Sequence, residues 1–174
     1  MSRSVNYEPL SPLHFLERSA YTFPEKTAVI YGDQSCTYAQ LKDRVLRLAT
    51  ALKQRGIGKD DKVAFLCPNI PQTLEAHYAV PLLSAVLVTI NIRLSSREIA
   101  YILQDSGSRI LFVDTEFAPS IQPILDDIPD VGIVNVCDVQ EKAFDGPDYE
   151  EFLDVPPETF HFGVDDELQP ITIN

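Results

Sequence analysis

Leu82-Leu83-Ser84-Ala85-Val86-Leu87-Val88-Thr89-Ile90-Asn91-Ile92-Arg93-Leu94 reads as a helix end, a fully buried strand and a polar exit turn. Val86 to Ile90 is a short, nearly unbroken apolar run rich in β-branched residues. Such a run suits a strand covered by helices on both faces, the environment of a parallel sheet. Directly after it, Ser95 with Glu98 three residues on spells a capping box, and the apolar spacing becomes helical. Strand, sharp exit and helix in that order point to an α/β fold.

The same alternation extends in both directions. Lys62 to Leu66, Arg109 to Val113 and Val131 to Val136 are further buried strands. Between them lie a helix from Pro71 with Leu74, Tyr78 and Leu82 on one face, a helix carrying Ile99, Ile102 and Leu103, and a weaker one interrupted by Pro119 and Pro123. Strands at roughly 25-residue spacing with helical crossovers are parallel, right-handed βαβ units. Upstream, Ser11-Pro12 opens a helix with Leu13, Leu16 and Ala20 on its buried face. Thr27 to Tyr31 and Ser35 to Tyr38 form a hairpin around Gly32-Asp33. Thr37 and Gln40 cap a long helix whose stripe is Leu41, Val45, Leu48 and Leu52, stopped at Gly56. The chain therefore divides into 1–60 (helix, hairpin, long helix), 61–137 (βαβ units) and 138–174. The last part is expected to be an acidic, irregular surface excursion leading into a strand at Pro170 to Asn174 that the chain leaves incomplete.

Composition narrows the class. The chain has 174 residues, 45% of them hydrophobic, enough for one sizeable core. Its net charge of −12 is unevenly spread. Residues 1–113 hold 10 acidic and 13 basic side chains, whereas 114–174 hold 16 acidic ones and the single base Lys142. Such a half repels nucleic acids and anionic membranes, and is expected to lie in solvent or to face a basic surface outside the chain. The longest apolar run, Tyr78 to Ile90, contains Pro81, Ser84 and Thr89 and is too short for a membrane span. A polar start and three scattered cysteines, Cys36, Cys67 and Cys137, read as a cytoplasmic protein with reduced, buried thiols.

Residue chemistry by itself yields no catalytic or metal site. Gly56-Ile57-Gly58-Lys59 lacks the loop length and the Ser or Thr of a phosphate loop, and reads as a helix stop followed by Asp60-Asp61. His14, His77 and His161 are isolated, and His77 reads as a satisfied, partly buried side chain. Asp114 ends a strand where α/β proteins place ligands, but capping is the simpler role for it.

A series of blocks carries a resemblance. Thr37-Tyr38-Ala39-Gln40-Leu41, Pro68-Asn69-Ile70-Pro71, the opening stretch through Asn91-Ile92-Arg93-Leu94, and Ile99 to Leu103 with Leu111-Phe112-Val113-Asp114 resemble the amino-terminal portion of adenylate-forming acyl-CoA synthetases. Asn6-Tyr7-x-Pro-Leu-Ser-Pro and Phe15 to Ala20 are similar to the acyl-activating and medium-chain fatty acid–CoA ligase branch. Ser84 stands where such enzymes usually carry glycine, which implies a tighter fit there. The resemblance implies a ligase joining a short- to medium-chain fatty or aromatic acid to CoA through an acyl adenylate, with ATP, magnesium and CoA as cofactors. It also implies that the chain equals roughly the first third of such an enzyme. The Ser/Thr/Gly loop, the adenine and magnesium motifs and the lysine motif would follow Asn174. Alone, the chain is then expected to be inactive and to bind none of these cofactors tightly, its partners being the rest of the enzyme and a small carboxylic acid. Asn91 and Arg93 are the candidate site residues, because the equivalent turn approaches CoA in some relatives; a solvated Arg93 is the simpler alternative. Two other readings stay open: an acidic α/β binding or regulatory module acting through a protein partner, and a scaffold forming the contact of a homo-oligomer.

Overall fold

The computed structural model describes residues 9–138, 141–164 and 166–174. The Asn6-Tyr7 block and Asp165 lie outside the described residues. Elements follow in the order α1 (Leu13–Thr22), β1 (Thr27–Tyr31), β2 (Gln34–Thr37), α2 (Tyr38–Gln54), β3 (Lys62–Leu66), α3 (Pro71–Ala79) and β4 (Val86–Thr89). Then come α4 (Ser96–Ser106), β5 (Ser108–Asp114), α5 (Ala118–Ile121), β6 (Gly132–Val136), α6 (Tyr149–Phe152) and β7 (Thr172–Ile173). Strands β3 to β7 form one five-stranded parallel sheet in the order β6-β5-β3-β4-β7, while β1 and β2 pair as a separate antiparallel hairpin. The α/β class expected from Val86 to Ile90 is what the chain adopts.

Side chains alternate across the sheet, so each strand feeds two cores. Val63, Phe65, Leu87, Ile110, Phe112, Val134 and Val136 point to a face covered by α1, α2 and α3. Ala64, Leu66, Val88, Leu111 and Val113 point to the opposite face, closed by Ile99 and Leu103 of α4 and by Ile121, Ile124 and Ile128. Local signals account for the helix ends. Thr37 and Gln40 exchange both bonds of a capping box at α2, Ser95 and Glu98 do so at α4, and Gly107 ends α4 at φ +65. At α1 the cap falls one residue late: Ser11 Oγ accepts from Leu13 N at 3.2 Å, and Pro12 occupies the cap position.

Three expectations are corrected. The buried face of α3 is Glu75, Ala76 and Ala79, not the Leu74 and Tyr78 stripe; Leu74 is exposed and Tyr78 half-buried. Small alanines let α3 lie close to α2, and Glu75 is tolerated there because it meets a cation. Segment 141–164 is not a surface excursion. Tyr149, Phe152, Leu153 and Phe162 are buried in the first core, where Phe112 stacks on Phe65 at 4.4 Å and meets the edges of Phe152 and Tyr149. Two of its acidic groups meet bases within the chain: Glu150 pairs with Arg44 at 2.7 Å and Glu158 with Lys53 at 2.6 Å, both on α2. Ser84 takes a left-handed backbone, φ +55, so conformation rather than a tight fit makes glycine suitable there.

Candidate functional site

Every strand of the parallel sheet ends toward the same edge, and α/β proteins bind ligands at such an edge, where strand order reverses. Here the reversal lies between β3 and β5, and Cys67 and Asp114 stand at their ends. Asp114 acts as a cap: its Oδ1 accepts from Glu116 N at 3.0 Å. Burial lifts its carboxyl above the usual range; the hydrogen bond from Glu116 N opposes this, and the charges of Asp138 and Glu116 add to the rise. Burial, and then Asp114, push the Cys67 thiol well up, which makes it a poor nucleophile. Not all the thiols are buried as expected: Cys36 and Cys67 are half-buried and Cys137 is exposed, each a free cysteine. His77 is likewise exposed rather than partly buried, and its Nδ1 lies 2.8 Å from Thr73 O.

Among the described residues, two of the cavities share Val29 and Tyr31 of the hairpin. The larger, about 500 Å3, is mainly apolar and runs between β1, α3 and β7, with Ile30, Leu74, Tyr78, Leu87 and Ile171 in its wall. Asn69, Thr73 and His77 are its polar points. The smaller, about 320 Å3, is polar and shares Val29, Tyr31 and Pro71 with the first. Glu75, Arg44 and Glu150 lie in its wall. Arg44 Nε donates to Glu75 Oε1 at 2.6 Å, its two terminal nitrogens grip Glu150, and Tyr149 Oη donates to Glu75 Oε2 at 2.7 Å. Burial raises the Glu75 carboxyl, Arg44 and Tyr149 pull it back, and the balance stays above the ordinary range. Sequence reasoning missed this network. The one signal was a charged residue beside Ala76 and Ala79, the small residues that mark a close helix contact.

The sequence candidates Asn91 and Arg93 lie elsewhere, in the turn between β4 and α4. Asn91 Oδ1 accepts from Arg93 N at 3.0 Å, so Asn91 shapes the turn. Both residues are exposed, and the Arg93 guanidinium has no ion pair among the described residues. The structure does not bring them together with either cavity. Among the described residues no group of His, Cys, Asp and Glu could hold a metal ion, and Arg44 already shares its charge between two carboxylates. These residues do not by themselves fit a magnesium–polyphosphate group. No described helix is long and apolar enough to cross a membrane.

The chain is 38% identical over 184 aligned residues to the peroxisomal butyrate–CoA ligase AAE11 of Arabidopsis thaliana, covering 98% of this chain and 32% of that protein. It is 43% identical over 122 residues to 4-hydroxybutyrate–CoA ligase 2 of Metallosphaera sedula, covering 70% of this chain and 22% of that protein. Among solved structures, the anthranilate CoA ligase AuaEII in complex with anthranoyl-AMP superimposes with a TM-score of 0.88 at 25% identity. That match covers all of this chain and 33% of the ligase. The chain thus spans about a third of the length of the first of these curated relatives. The family model described as AMP-binding enzyme matches residues 16–170, most of the 174, and the chain belongs to that family.

Proposed function

We propose that this chain supplies the amino-terminal scaffold of an acid–thiol ligase that joins a short- to medium-chain fatty or aromatic acid to CoA through an acyl adenylate. The observation that carries the reading is the end-to-end alignment of the chain with about a third of a butyrate–CoA ligase, together with a fold that superimposes on a CoA ligase. In this role the chain orients a parallel sheet and its exit turns, and the residues that hold ATP and magnesium come from the rest of the enzyme. By itself the chain forms no adenylate. A reducing compartment suits the three free thiols; we place the protein in the cytoplasm, although the Arabidopsis relative is named peroxisomal.

Within that reading Arg93, an exposed cation on the turn between β4 and α4, meets an anionic group of CoA, and Asn91 holds the turn in shape. The test is a chimera in which this chain replaces the matching third of the Arabidopsis butyrate–CoA ligase. The chimera is expected to make the thioester. Arg93→Ala in it is expected to raise the KM for CoA roughly tenfold, about 1.4 kcal/mol, with adenylate formation unchanged. A folded chimera without thioester synthesis rejects the scaffold role; an unchanged KM removes Arg93.

A further inference from the structure

The larger cavity, about 500 Å3, carries hydrogen-bonding groups that the ligase reading does not use. Helix α3 contributes to its lining in two rows, because residues four apart share a helix face. Ile70 at the helix start, Leu74 and Tyr78 form an apolar row that runs on to Pro81. Thr73 and His77 form a polar row beside it. Among the described residues the lining contains no Asp, Glu, Lys or Arg, so it holds no fixed charge. His77 Nδ1 lies 2.8 Å from the carbonyl oxygen of Thr73, which only accepts. Nδ1 therefore carries the proton of the neutral ring, and Nε2 is left as an acceptor. The His77 side chain is exposed, and its Nε2 has no partner among the described residues. The Thr73 hydroxyl donates to Pro68 O at 2.9 Å, so it too offers only acceptor capacity. The Tyr31 hydroxyl is already donated to Asp138.

We propose that this cavity binds a small uncharged amphiphile, an aliphatic or aromatic body ending in a hydroxyl or carboxamide, whose O–H or N–H is donated to His77 Nε2. The body lies along the row of Ile70, Leu74 and Tyr78, and the head group meets the polar row one helix face away. A mainly apolar cavity with a few polar points, of this volume, is what small-ligand sites look like. Absence of charge in the lining sets the selectivity. An ion entering it loses hydration that no opposite charge replaces, whereas a neutral donor exchanges water for His77. This inference goes beyond the ligase reading: the ligand is uncharged where an acid substrate is a carboxylate, and neither ATP nor CoA takes part. An inactive chimera would leave it standing.

The experiment is an amide-resolved NMR titration of the 174-residue chain at about pH 8 with n-hexanol and hexanamide, beside hexyl methyl ether, hexanoate and hexylammonium. The alcohol and the amide are expected to shift the amides of Thr73, Leu74, His77 and Tyr78 saturably. The ether, with the same body and no donor, is expected to bind roughly fivefold more weakly, and the two ions not measurably. His77→Leu is expected to bring hexanol level with the ether, and His77→Gln, which keeps an acceptor, to restore most of the difference. His77 is exposed, so both variants are expected to fold. Leu74→Ser is expected to weaken alcohol, amide and ether alike. Tighter binding of hexanamide than of hexanol assigns the head group to an amide, the reverse to an alcohol. Absence of saturable shifts, equal binding of the ether or of hexanoate, or indifference to His77→Leu overturns the proposal.

Discussion

One face of the parallel sheet is closed by its sequence neighbours, the other by residues from far along the chain. Behind Ala64, Leu66, Val88, Leu111 and Val113 lie the buried aliphatic side chains of α4 and the isoleucines 121–128, within the βαβ run, with Phe117 and Phe144 packed half-buried beside them. Behind Phe65 and Phe112 lie α2, α3 and then Tyr149 and Phe152, with Glu150 tied to Arg44 across 106 positions. The first face needs only apolar periodicity. The second also needs a charge network, because the Glu75 that α3 buries must be met by Arg44 of α2 and the Tyr149 hydroxyl of α6. The difference suggests that a chain with a strongly acidic second half can still fold compactly when its basic half presents the receiving surface.

Breaking the aromatic face should cost most. Phe112→Ala, which removes the ring stacked on Phe65, is expected to lower stability by about 3–5 kcal/mol in urea unfolding. Leu103→Ala on the opposite face is expected to cost about 2–4 kcal/mol and to leave segment 141–164 protected in hydrogen exchange. Equal loss of protection in both variants would erase the distinction between the faces.

The charge network comes next. Arg44→Met leaves Glu75 buried without its cation and is expected to cost about 2–3 kcal/mol, the partial exposure of Arg44 moderating the loss. Adding Glu75→Leu should restore most of it. If the double variant is no more stable than the single one, the pairing does not hold α3 to α2.

Acidity sharpens the comparison further. Burial raises Glu75 and Asp114, so folding binds protons at both. Their contribution is complete below the unfolded carboxylate range near pH ~4 and is lost as pH rises through the folded values. Glu75→Gln should therefore flatten the decline of stability above about pH 4, read from urea midpoints. The smallest effect is local: Ser95→Ala, which removes the α4 cap, is expected to cost about 1 kcal/mol.

What the sequence made legible follows the same division. Thr37 with Gln40 and Ser95 with Glu98 act within one helical turn, so their roles could be read from neighbours alone. The strand at Val86–Thr89 and its parallel partners were legible because burial on both faces leaves an apolar run. On α3, counting apolar residues selected Leu74 and Tyr78, whereas the fold selects Glu75 because Arg44, 31 positions earlier, meets it. Segment 141–164 looked like solvent-facing chain because charge and proline outweigh Tyr149, Phe152 and Phe162 in composition. Neither cavity was visible in the sequence, since each is assembled from the hairpin, α3 and residues beyond 130.

The most direct test of the scaffold reading is acid-dependent exchange of labelled pyrophosphate into ATP by the 174-residue chain alone, with butyrate, hexanoate and benzoate as substrates. The account predicts no exchange above the protein-free blank under conditions where a complete butyrate–CoA ligase exchanges readily. Exchange that depends on the added acid, from a preparation free of other ligases, would contradict it.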